Sequence, residues 1–580
     1  MVPLVERVDD IPLIIAYLKS KKIDFLFDKH IHNHGNQNNL SNGNVAIIWL
    51  SYILSQSDHR KSHVIDWVEK HQVTLSYCIG CQFDLNNFSD DRLARLLYKC
   101  ALDKNWHPLE TEIAKETLNL IPLDYMLEKY FNPNADLVIK GAFKLDSTSF
   151  TGHHEATEDG LMRYGFSNSN YEKLPQIKLM NCTDGFAGCS LVSTIASGNH
   201  NDESMYIPTL ERMRKSFNTE GFLFCGDSKL STKSVLDNLV KNKEFYLCPL
   251  QFSDKKNRDN FTIWVDKAVD GSQAIHQIYN GEVHYGFGYE FERKQLINNG
   301  DLEWIERVLV IKSQGYFEGE KTRFTKKLTQ IEELLGKLKT KLLNIPEKAL
   351  ETINKDLEKI FENSSLPREL FEINLSIEEI IKTYKRSMRK GEYVIKKYRA
   401  YVNKLSINGE VLESLMARIG WRVFVTNISS NCLGFSEAYS YYRTSQYVIE
   451  SGHHLFKSEP IGIAPLYVSR KDQLKGLIRF LSLGVLFLKL LSMEIMLRLK
   501  ERKEELIGLT AGQPSRKTST PTAKSILNYF CRSSISLIVF EANDIRRIQI
   551  EKPSLLCCKI LELLNLSNMY LNIEKFNYRC

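Results

Sequence analysis

The chain has 580 residues, of which 43% are hydrophobic and 25% are charged. This balance is that of folded globular proteins and excludes bulk disorder, and the length exceeds that of one compact domain. The net charge is +7, from 77 Lys and Arg against 70 Asp and Glu. Such a mild excess is compatible with a polyanionic partner, although many soluble enzymes share it.

The sequence gives little indication of a targeting signal or of a metal site built from cysteines. The first residues meet acidic side chains before any apolar stretch long enough for export, so we expect a cytoplasmic protein with reduced thiols. Cys78 and Cys81 form a C-x-x-C motif, but no second pair follows at zinc-finger spacing. The most apolar region, residues 476–499, is interrupted by charges, which predicts a buried core helix and no membrane partner.

Residues 1–135 are predicted to be helices joined by polar loops. NVAIIWLSYIL (44–54) is long and apolar enough for a buried helix. DDRLARLL (90–97) opens with acidic residues and repeats leucine at helical spacing, as the start of a helix does.

Residues 136–255 change to short runs rich in β-branched and aromatic residues, which predict strands. These runs are LVIKGAFKLDSTSF, IKLMNCTD, GCSLVSTIASG and EGFLFCGDSKL, and the helical patterns SMYIPTLERMRKSF and STKSVLDNLVKN alternate with the later ones. The alternation predicts an α/β fold with a mixed sheet.

Residues 256–418 are predicted to be a long, largely helical insertion into that fold. FTIWVDKAV through RVLVIKS is strand-like, whereas residues 321–404 are rich in Lys, Glu and Leu with helical periodicity, typical of a solvated helical hairpin. Residues 419–510 resume with the strand GWRVFVTNI and the long helix EAYSYYRTSQYVIESGHHLFK. Residues 511–580 are predicted to be a loop followed by a helical tail.

Three carboxylates are the candidate catalytic residues. Asp146 and Asp227 each end an apolar run, where open α/β sheets gather their ligands, and Glu450 lies on the late helix. The alternative for each aspartate is a cap on a turn or helix. If the fold brings all three together, they can hold two Mg²⁺ ions about 4 Å apart and cleave a phosphodiester.

The neighbours of Glu450 offer further candidates. Lys457 and Arg443 lie seven residues to either side, about two helical turns, so they share its face and could hold phosphate. The alternative is a surface salt bridge, which contributes little. His453 and His454 leave a hydrolytic zinc site open as another alternative, although the H-E-x-x-H arrangement is absent.

A series of stretches along the chain is typical of one enzyme family and occurs in the order of that family. They are NNFSDDRLARLL, KLDSTSF, EDGLMRYGFS, LPQIKLM, SGNHNDESMYIPTLERMR, FLFCGDSKL, FYLCPL, GWRVFVTN, YYRTSQYVIESGHHLFK, IAPLYVSRKDQLKGLIRFLSL and PTAKSIL. On these stretches the chain resembles DDE transposases of bacterial insertion sequences, in the IS-four-like superfamily and its subgroup with a long insertion before the catalytic Glu.

The resemblance implies an RNase H-like catalytic core, an N-terminal helical DNA-binding region, and strand cleavage and strand transfer at terminal inverted repeats. Asp146 and Asp227 match the two catalytic aspartates and Glu450 the catalytic glutamate, which would bind two Mg²⁺ ions, with Mn²⁺ as a substitute. Lys457 matches a signature lysine that contacts DNA phosphate, and Arg443 and Tyr442 join it as DNA-binding candidates.

The resemblance also implies partners and a location. Double-stranded DNA would be bound as terminal inverted repeats and as target, by a homodimer, in the prokaryotic cytoplasm at the nucleoid. Asn199 and Asp202 match a family turn with a structural role.

Some positions depart from the family pattern. Gln446 occupies the offset of the signature Arg, Ser451 replaces the Arg that follows the Glu, and residues 168–171 lack the expected basic cluster. An alternative is therefore a catalytically inactive relative that binds element ends as a repressor or inhibitor. A third reading is a nuclease that never joins strands.

Overall fold

The computed structural model describes residues 4–33, 40–165, 174–252, 255–297, 302–364, 366–385, 392–464, 466, 468, 470–542 and 545–575. The helices are, in chain order, α1 (Ile11–Ser20), α2 (Ile23–His30), α3 (Asn42–Gln56), α4 (Val64–Lys70), α5 (Gln72–Ile79), α6 (Asp90–Ala101), α7 (Asp103–Leu120), α8 (Leu123–Tyr130), α9 (Glu203–Ser216), α10 (Lys233–Lys241), α11 (Lys255–Val269), α12 (Gln314–Gly336), α13 (Pro346–Ser364), α14 (Gly409–Arg418), α15 (Phe435–Lys457), α16 (Lys471–Arg502), α17 (Ala523–Arg532) and α18 (Leu555–Leu563).

The strands are β1 (Leu4–Arg7), β2 (Gly141–Thr151), β3 (Gln176–Asp184), β4 (Ser190–Ser197), β5 (Phe222–Cys225), β6 (Phe245–Pro249), β7 (His276–Asn280), β8 (Val283–Leu296), β9 (Glu303–Ser313), β10 (Phe371–Lys385), β11 (Glu392–Ile407), β12 (Trp421–Thr426), β13 (Leu506–Ile507), β14 (Lys517–Thr518), β15 (Ser536–Ala542) and β16 (Ile545–Ile550). Single turns of 3-10 helix lie at Lys61–His63, Leu85–Phe88, Ser228–Ser231, Arg368–Leu370 and Leu571–Lys575.

The chain divides into two compact units. Unit 1 comprises Met1–Cys248, Leu296–Glu303 and Thr426–Cys580, and unit 2 comprises Pro249–Gln295 and Trp304–Val425. The three candidate acids all belong to unit 1. The predicted division of the chain into five segments stays a prediction.

Unit 1 contains the mixed sheet that the sequence predicts. Its strands lie in the order β4–β3–β2–β5–β6. β3 runs antiparallel to both β2 and β4, whereas β5 runs parallel to β2 and to β6. β3 is buried along its whole length, so both faces of the sheet are covered at this point. The predicted α/β fold class is confirmed.

Helix α16 forms the centre of the core of unit 1. It spans the predicted apolar region and most of its side chains are buried. The ring of Phe480 packs 4.7 Å from that of Trp49 in α3, and Tyr17 in α1 packs edge-on against Phe487. Within the described residues α16 is the one helix long and apolar enough to cross a membrane, and 72% of its most apolar window is buried inside the fold.

Gly476 allows the closest approach between α16 and α6. A Cβ built on Gly476 would lie 1.9 Å from the carbonyl oxygen of Leu97, a backbone atom that cannot move aside by a rotamer change. Arg479, one turn later, donates hydrogen bonds to the carbonyl oxygens of Cys100 and Ala101 at the end of α6. The two helices are therefore joined at backbone level.

We predict that Gly476→Ala lowers the free energy of unfolding by about 2–3 kcal/mol, because the added methyl group forces backbone atoms apart. Urea unfolding followed by circular dichroism measures this. The matched control is Gly336→Ala in α12, where a Cβ meets no atom within 4 Å and a small stabilisation is expected. Equal effects of the two substitutions would contradict the close packing of α16 on α6.

The predicted helices of the N-terminal region are confirmed. α3 begins where the Ser41 side chain accepts a hydrogen bond from the backbone nitrogen of Asn44, and α6 begins at the acidic pair predicted to open it. The sequence reasoning missed β1, which pairs antiparallel with β15 near the other end of the chain. Four residues are too few for a period-two pattern to show.

Unit 2 departs from the prediction in two places. FTIWVDKAV forms α11 and not a strand, with Trp264 and Val265 buried and Ile263 half exposed. Its β-branched residues were misleading because tertiary packing overrides such propensities. The predicted helical hairpin is confirmed in α12 and α13, but β10 and β11 form a two-stranded antiparallel ribbon instead of continuing it. Phe371, Ile373, Leu375 and Ile377 alternate with polar residues, which is a strand pattern.

The rest of unit 2 comprises a second sheet and the helices that pack on the ribbon. β7, β8, β9 and β12 follow one another in a sheet, with β7 and β8 antiparallel. Leu335 of α12 and Leu357 of α13 are buried with Phe371 at the start of β10.

The predicted helical tail is only partly correct. α17 and α18 are helices, but between them β15 and β16 form an antiparallel pair. Leu537 and Val539 are buried at alternate positions, as are Ile548 and Ile550. This period of two is the signature of a strand with one buried face.

Candidate active site

Asp146 lies in the middle of β2 and not at its end, which corrects the prediction that it stands at the carboxyl edge of a strand. Its side chain is 18% exposed. Oδ1 accepts a hydrogen bond from the backbone nitrogen of Ser147, and Oδ2 lies 3.7 Å from Nδ1 of His453. Burial raises the pKa of Asp146 to about 7, and the nearby charges of Asp227 and Glu450 act in the same direction.

Asp227 lies two residues beyond the end of β5, as predicted. Its Oδ1 accepts hydrogen bonds from the backbone nitrogen of Lys229 at 2.8 Å and from the hydroxyl of Tyr206 at 2.7 Å. The capping role that the sequence left open is therefore real, because Asp227 caps the turn Ser228–Ser231. Among the hydrogen bonds of the described residues none involves Oδ2, so one oxygen remains for a ligand.

Glu450 lies on an exposed face of α15. Arg443, Tyr447, His454 and Lys457 are exposed on the same helix, at the three- and four-residue spacing of one face. Lys457 also interacts electrostatically with Asp146, whose charge raises its pKa against the larger lowering effect of burial. Lys457, at the end of this exposed face, therefore lies near Asp146.

The nearest neighbour of Glu450 is Gln446, one turn earlier. Its Nε2 donates a hydrogen bond to Oε1 of Glu450 at 2.6 Å. Its own Oε1 is buried without a hydrogen-bond partner in the described structure. In this conformation Gln446 holds the Glu450 carboxylate from its own helix.

The three acids are grouped in electrostatic terms but do not form a closed cage of ligands. The pKa of Asp146 responds to the charges of both Asp227 and Glu450, which requires proximity. In the parts of the chain that the structure describes, no group of three or more His, Cys, Asp or Glu side chains is arranged closely enough to hold a metal ion. The donor chemistry nevertheless fits Mg²⁺, which prefers carboxylate oxygens.

Lys144 is a residue of this region that the sequence reasoning missed. It lies two positions before Asp146, on the same face of β2, and is fully buried. Its Nζ lies 3.4 Å from the carbonyl oxygen of Gly226 and 4.2 Å from the centre of the Tyr442 ring. A lysine inside the apolar run FKLD was an available signal.

Tyr442 and His453, the two remaining residues near Glu450 that the sequence singled out, are buried rather than exposed. Tyr442 is 4% exposed, and a ring in this position is not available to DNA. His453 is also buried, with Nε2 lacking a hydrogen-bond partner among the described residues. Burial lowers the pKa of His453 to about 3, so its imidazole is neutral. No third ligand for the zinc alternative is arranged beside it and Asp146 in the described region.

The family turn near residue 200 has the polar contacts of a structural element. Ser197 donates a hydrogen bond to Asn199, and Lys178 in β3 pairs with Asp202 at 2.7 Å. Positions 168–171, where the expected basic cluster is missing, lie outside the described residues.

Comparison with known proteins gives a family match over part of the chain. Residues 140–361 match the family model described as the transposase DDE domain, a stretch shorter than half of the chain. It includes Asp146 and Asp227 but ends before Glu450. No curated protein matches the chain.

One similar solved structure is the cryo-EM structure of the piggyBac transposase synaptic complex with hairpin DNA. The TM-score is 0.34 and the sequence identity 9%, with 98% of this chain and 88% of that chain covered. Similarity at this level is too low to support an argument about function. The family match over residues 140–361 and the geometry of the acids are therefore the two observations that bear on function.

We predict that Asp146→Asn changes stability in a pH-dependent way. A carboxyl group whose pKa is raised by folding, here to about 7, favours the folded state below its unfolded pKa and loses that contribution as pH rises towards 7. The amide does not titrate, so the variant should gain stability relative to the parent by on the order of 2–4 kcal/mol between about pH 4 and about pH 8.

Urea unfolding in EDTA at the two pH values measures this difference. Asp202→Asn, which alters a carboxylate paired with Lys178, is the matched control and should show no gain towards high pH. A difference between Asp146→Asn and the parent protein that is the same at both pH values would contradict the raised pKa.

Proposed function

We propose that this protein is a DDE transposase, a metal-dependent DNA nuclease and strand transferase acting at the terminal inverted repeats of an insertion sequence. The observation that carries the proposal is the placement of Asp146 near Asp227 and Glu450, since the charges of both add to the effect of burial in raising its pKa, although three separate segments bear the acids. The match of residues 140–361 to the transposase DDE domain supports it. The strand order of unit 1, with one antiparallel strand beside β2, supports an RNase H-like core.

The three carboxylates would hold two Mg²⁺ ions, with Mn²⁺ as a substitute. Two such ions activate the attacking oxygen and stabilise the leaving oxygen of a phosphodiester. Burial is the main cause of the raised pKa of Asp146, the charges of Asp227 and Glu450 add to it, and a bound divalent cation would favour the ionised carboxylate. Glu450 would have to leave Gln446 to join the other two acids.

The residues around the acids have separate tasks in this proposal. Tyr206 and the turn after β5 hold one oxygen of Asp227 and leave the other for a ligand. Lys457 and Arg443, on the exposed face that carries Glu450, would hold the phosphates on either side of the scissile bond. Tyr442 has no place among the DNA contacts because its ring is buried.

The proposal includes the DNA partners and the assembly implied by the resemblance. Terminal inverted repeats and target DNA would bind as duplexes, with the N-terminal helical region, residues 1–135, as the second contact area. A homodimer would bring two element ends together, in a prokaryotic cytoplasm at the nucleoid. The net charge of +7 is compatible with these polyanionic partners.

A second candidate function is an inactive relative that binds element ends as a repressor or inhibitor. The hydrogen bond from Gln446 to Glu450, together with the lack of a closed ligand group in the described residues, favours it. In that case Glu450 would stay on Gln446 and DNA would be bound without being cut.

We predict that the purified protein cuts labelled DNA carrying the repeats that flank its own gene when Mg²⁺ or Mn²⁺ is present, and not in EDTA. Asp146→Asn, Asp227→Asn and Glu450→Gln should each reduce cutting by at least about 100-fold, since each removes a ligand oxygen charge. A denaturing gel measures the cuts. Glu437→Gln, an exposed glutamate of the same helix α15, is the matched control and should cut normally.

Each outcome of this assay separates the candidate functions. A shifted but uncut duplex would favour the inactive relative. Cutting without joining of precut ends to target DNA would favour the simple nuclease. Cutting that survives all three substitutions would refute the assignment of the acids.

We predict that Lys457→Ala weakens binding to DNA ends and reduces the salt dependence of the binding constant by about one unit of slope, because one phosphate contact is lost. Binding titrations at several salt concentrations measure the slope. Lys215→Ala, which removes an exposed lysine of α9, is the matched control and should leave the slope unchanged. Equal slopes for Lys457→Ala and the parent protein would contradict a phosphate contact.

A further inference from the structure

Lys144 lies beside parts of all three segments that bear the acids. It lies on β2 with Asp146, it approaches the carbonyl oxygen of Gly226 next to Asp227, and its Nζ lies over the ring of Tyr442 on α15, the helix of Glu450. Its ammonium group is fully buried behind these elements.

A buried ammonium group is costly unless opposite charge lies nearby. The carbonyl oxygen and the aromatic ring supply only part of the stabilisation that hydration would give the ammonium group. The contact with the carbonyl oxygen is long, at 3.4 Å. Burial lowers the pKa of Lys144, and the groups that oppose this lowering are Cys225 first and then Asp146 and Asp227. An apolar side chain such as methionine would fill similar space without the cost of desolvating a charge.

We propose that Lys144 is a built-in counter-ion of the acid site, a positioning residue that neutralises Asp146 and Asp227 and holds their two elements against α15 before any divalent cation binds. It deepens the proposed function, on which it rests in part. A divalent cation held by the acids would supply further positive charge of the same kind. Lys144 touches neither substrate nor ion in this scheme.

The first test is a double-mutant cycle without DNA and in EDTA, at about pH 8.5, where carboxylates are ionised. Lys144→Met should lower the melting temperature by several degrees, and by clearly less in the D146N background, because one of the two charges that Lys144 neutralises is then gone. Lys144→Arg should restore most of the loss. The same loss in both backgrounds would overturn the proposal.

Lys178→Met is the matched control for this cycle. Lys178 is a largely buried lysine of the neighbouring strand β3, and it pairs with Asp202 instead of the acid site. Its loss in melting temperature should be the same with and without D146N. If Lys144→Met does not fold alone, recovery of folding in the K144M/D146N double variant supports the counter-ion role, and failure of the double variant overturns it.

The second test is the melting temperature with and without Mg²⁺. Mg²⁺ should raise the melting temperature of Lys144→Met more than that of the parent protein, because the ion replaces the missing charge. An equal rise in the two proteins would overturn the counter-ion role. The double-mutant cycle in EDTA does not depend on enzymatic activity. If Lys144→Met and D146N are coupled in a protein that never cuts DNA, only the transposase proposal is refuted. If the protein cuts DNA but the two substitutions are not coupled, only the role of Lys144 is refuted.

Discussion

Burial of the Asp146 carboxyl group beside two other acids is the constraint on which the candidate site of unit 1 depends. Burial is the largest cause that raises the pKa of Asp146, and the charges of Asp227 and Glu450 act in the same direction. The packed sheet and the core around α16 have to supply the free energy that keeps the segments that bear these acids together.

Each acid is restrained by a different neighbour. Tyr206 and the backbone of Lys229 hold Asp227, while Gln446 holds Glu450 from the preceding turn of α15. Asp146 accepts a hydrogen bond from the backbone nitrogen of Ser147, and Lys144 lies two residues before it on β2. Glu450, exposed at the surface, is the acid with the greatest freedom to turn.

The sequence predicted the parts of the fold in which local pattern and final environment agree. α3 and α16 are long apolar runs that are buried over most of their length, and the strands β2–β5 lie in short runs rich in β-branched and aromatic residues. α11 was misread because β-branched residues were given more weight than packing. The β10–β11 ribbon was misread because its many charges hid an alternation that begins at Phe371.

The sequence predicts a set of candidate acids but not their geometry. Motif order predicts Asp146, Asp227 and Glu450 as the acids, which stays a prediction, whereas no local pattern reveals that Tyr442 is buried over Lys144 or that Tyr206 binds Asp227. Those contacts join residues that are far apart in the chain, so only the folded topology creates them.

Localised oxidation by a bound ion tests most directly whether the three acids share one metal site. With Fe²⁺ in place of Mg²⁺, ascorbate and peroxide generate radicals that cut the polypeptide close to the ion, and mass spectrometry maps the cuts. We predict cuts near Asp146, Asp227 and Glu450 that excess Mg²⁺ suppresses together. Cuts at one of these positions only, or cuts elsewhere that Mg²⁺ does not suppress, would contradict a shared site.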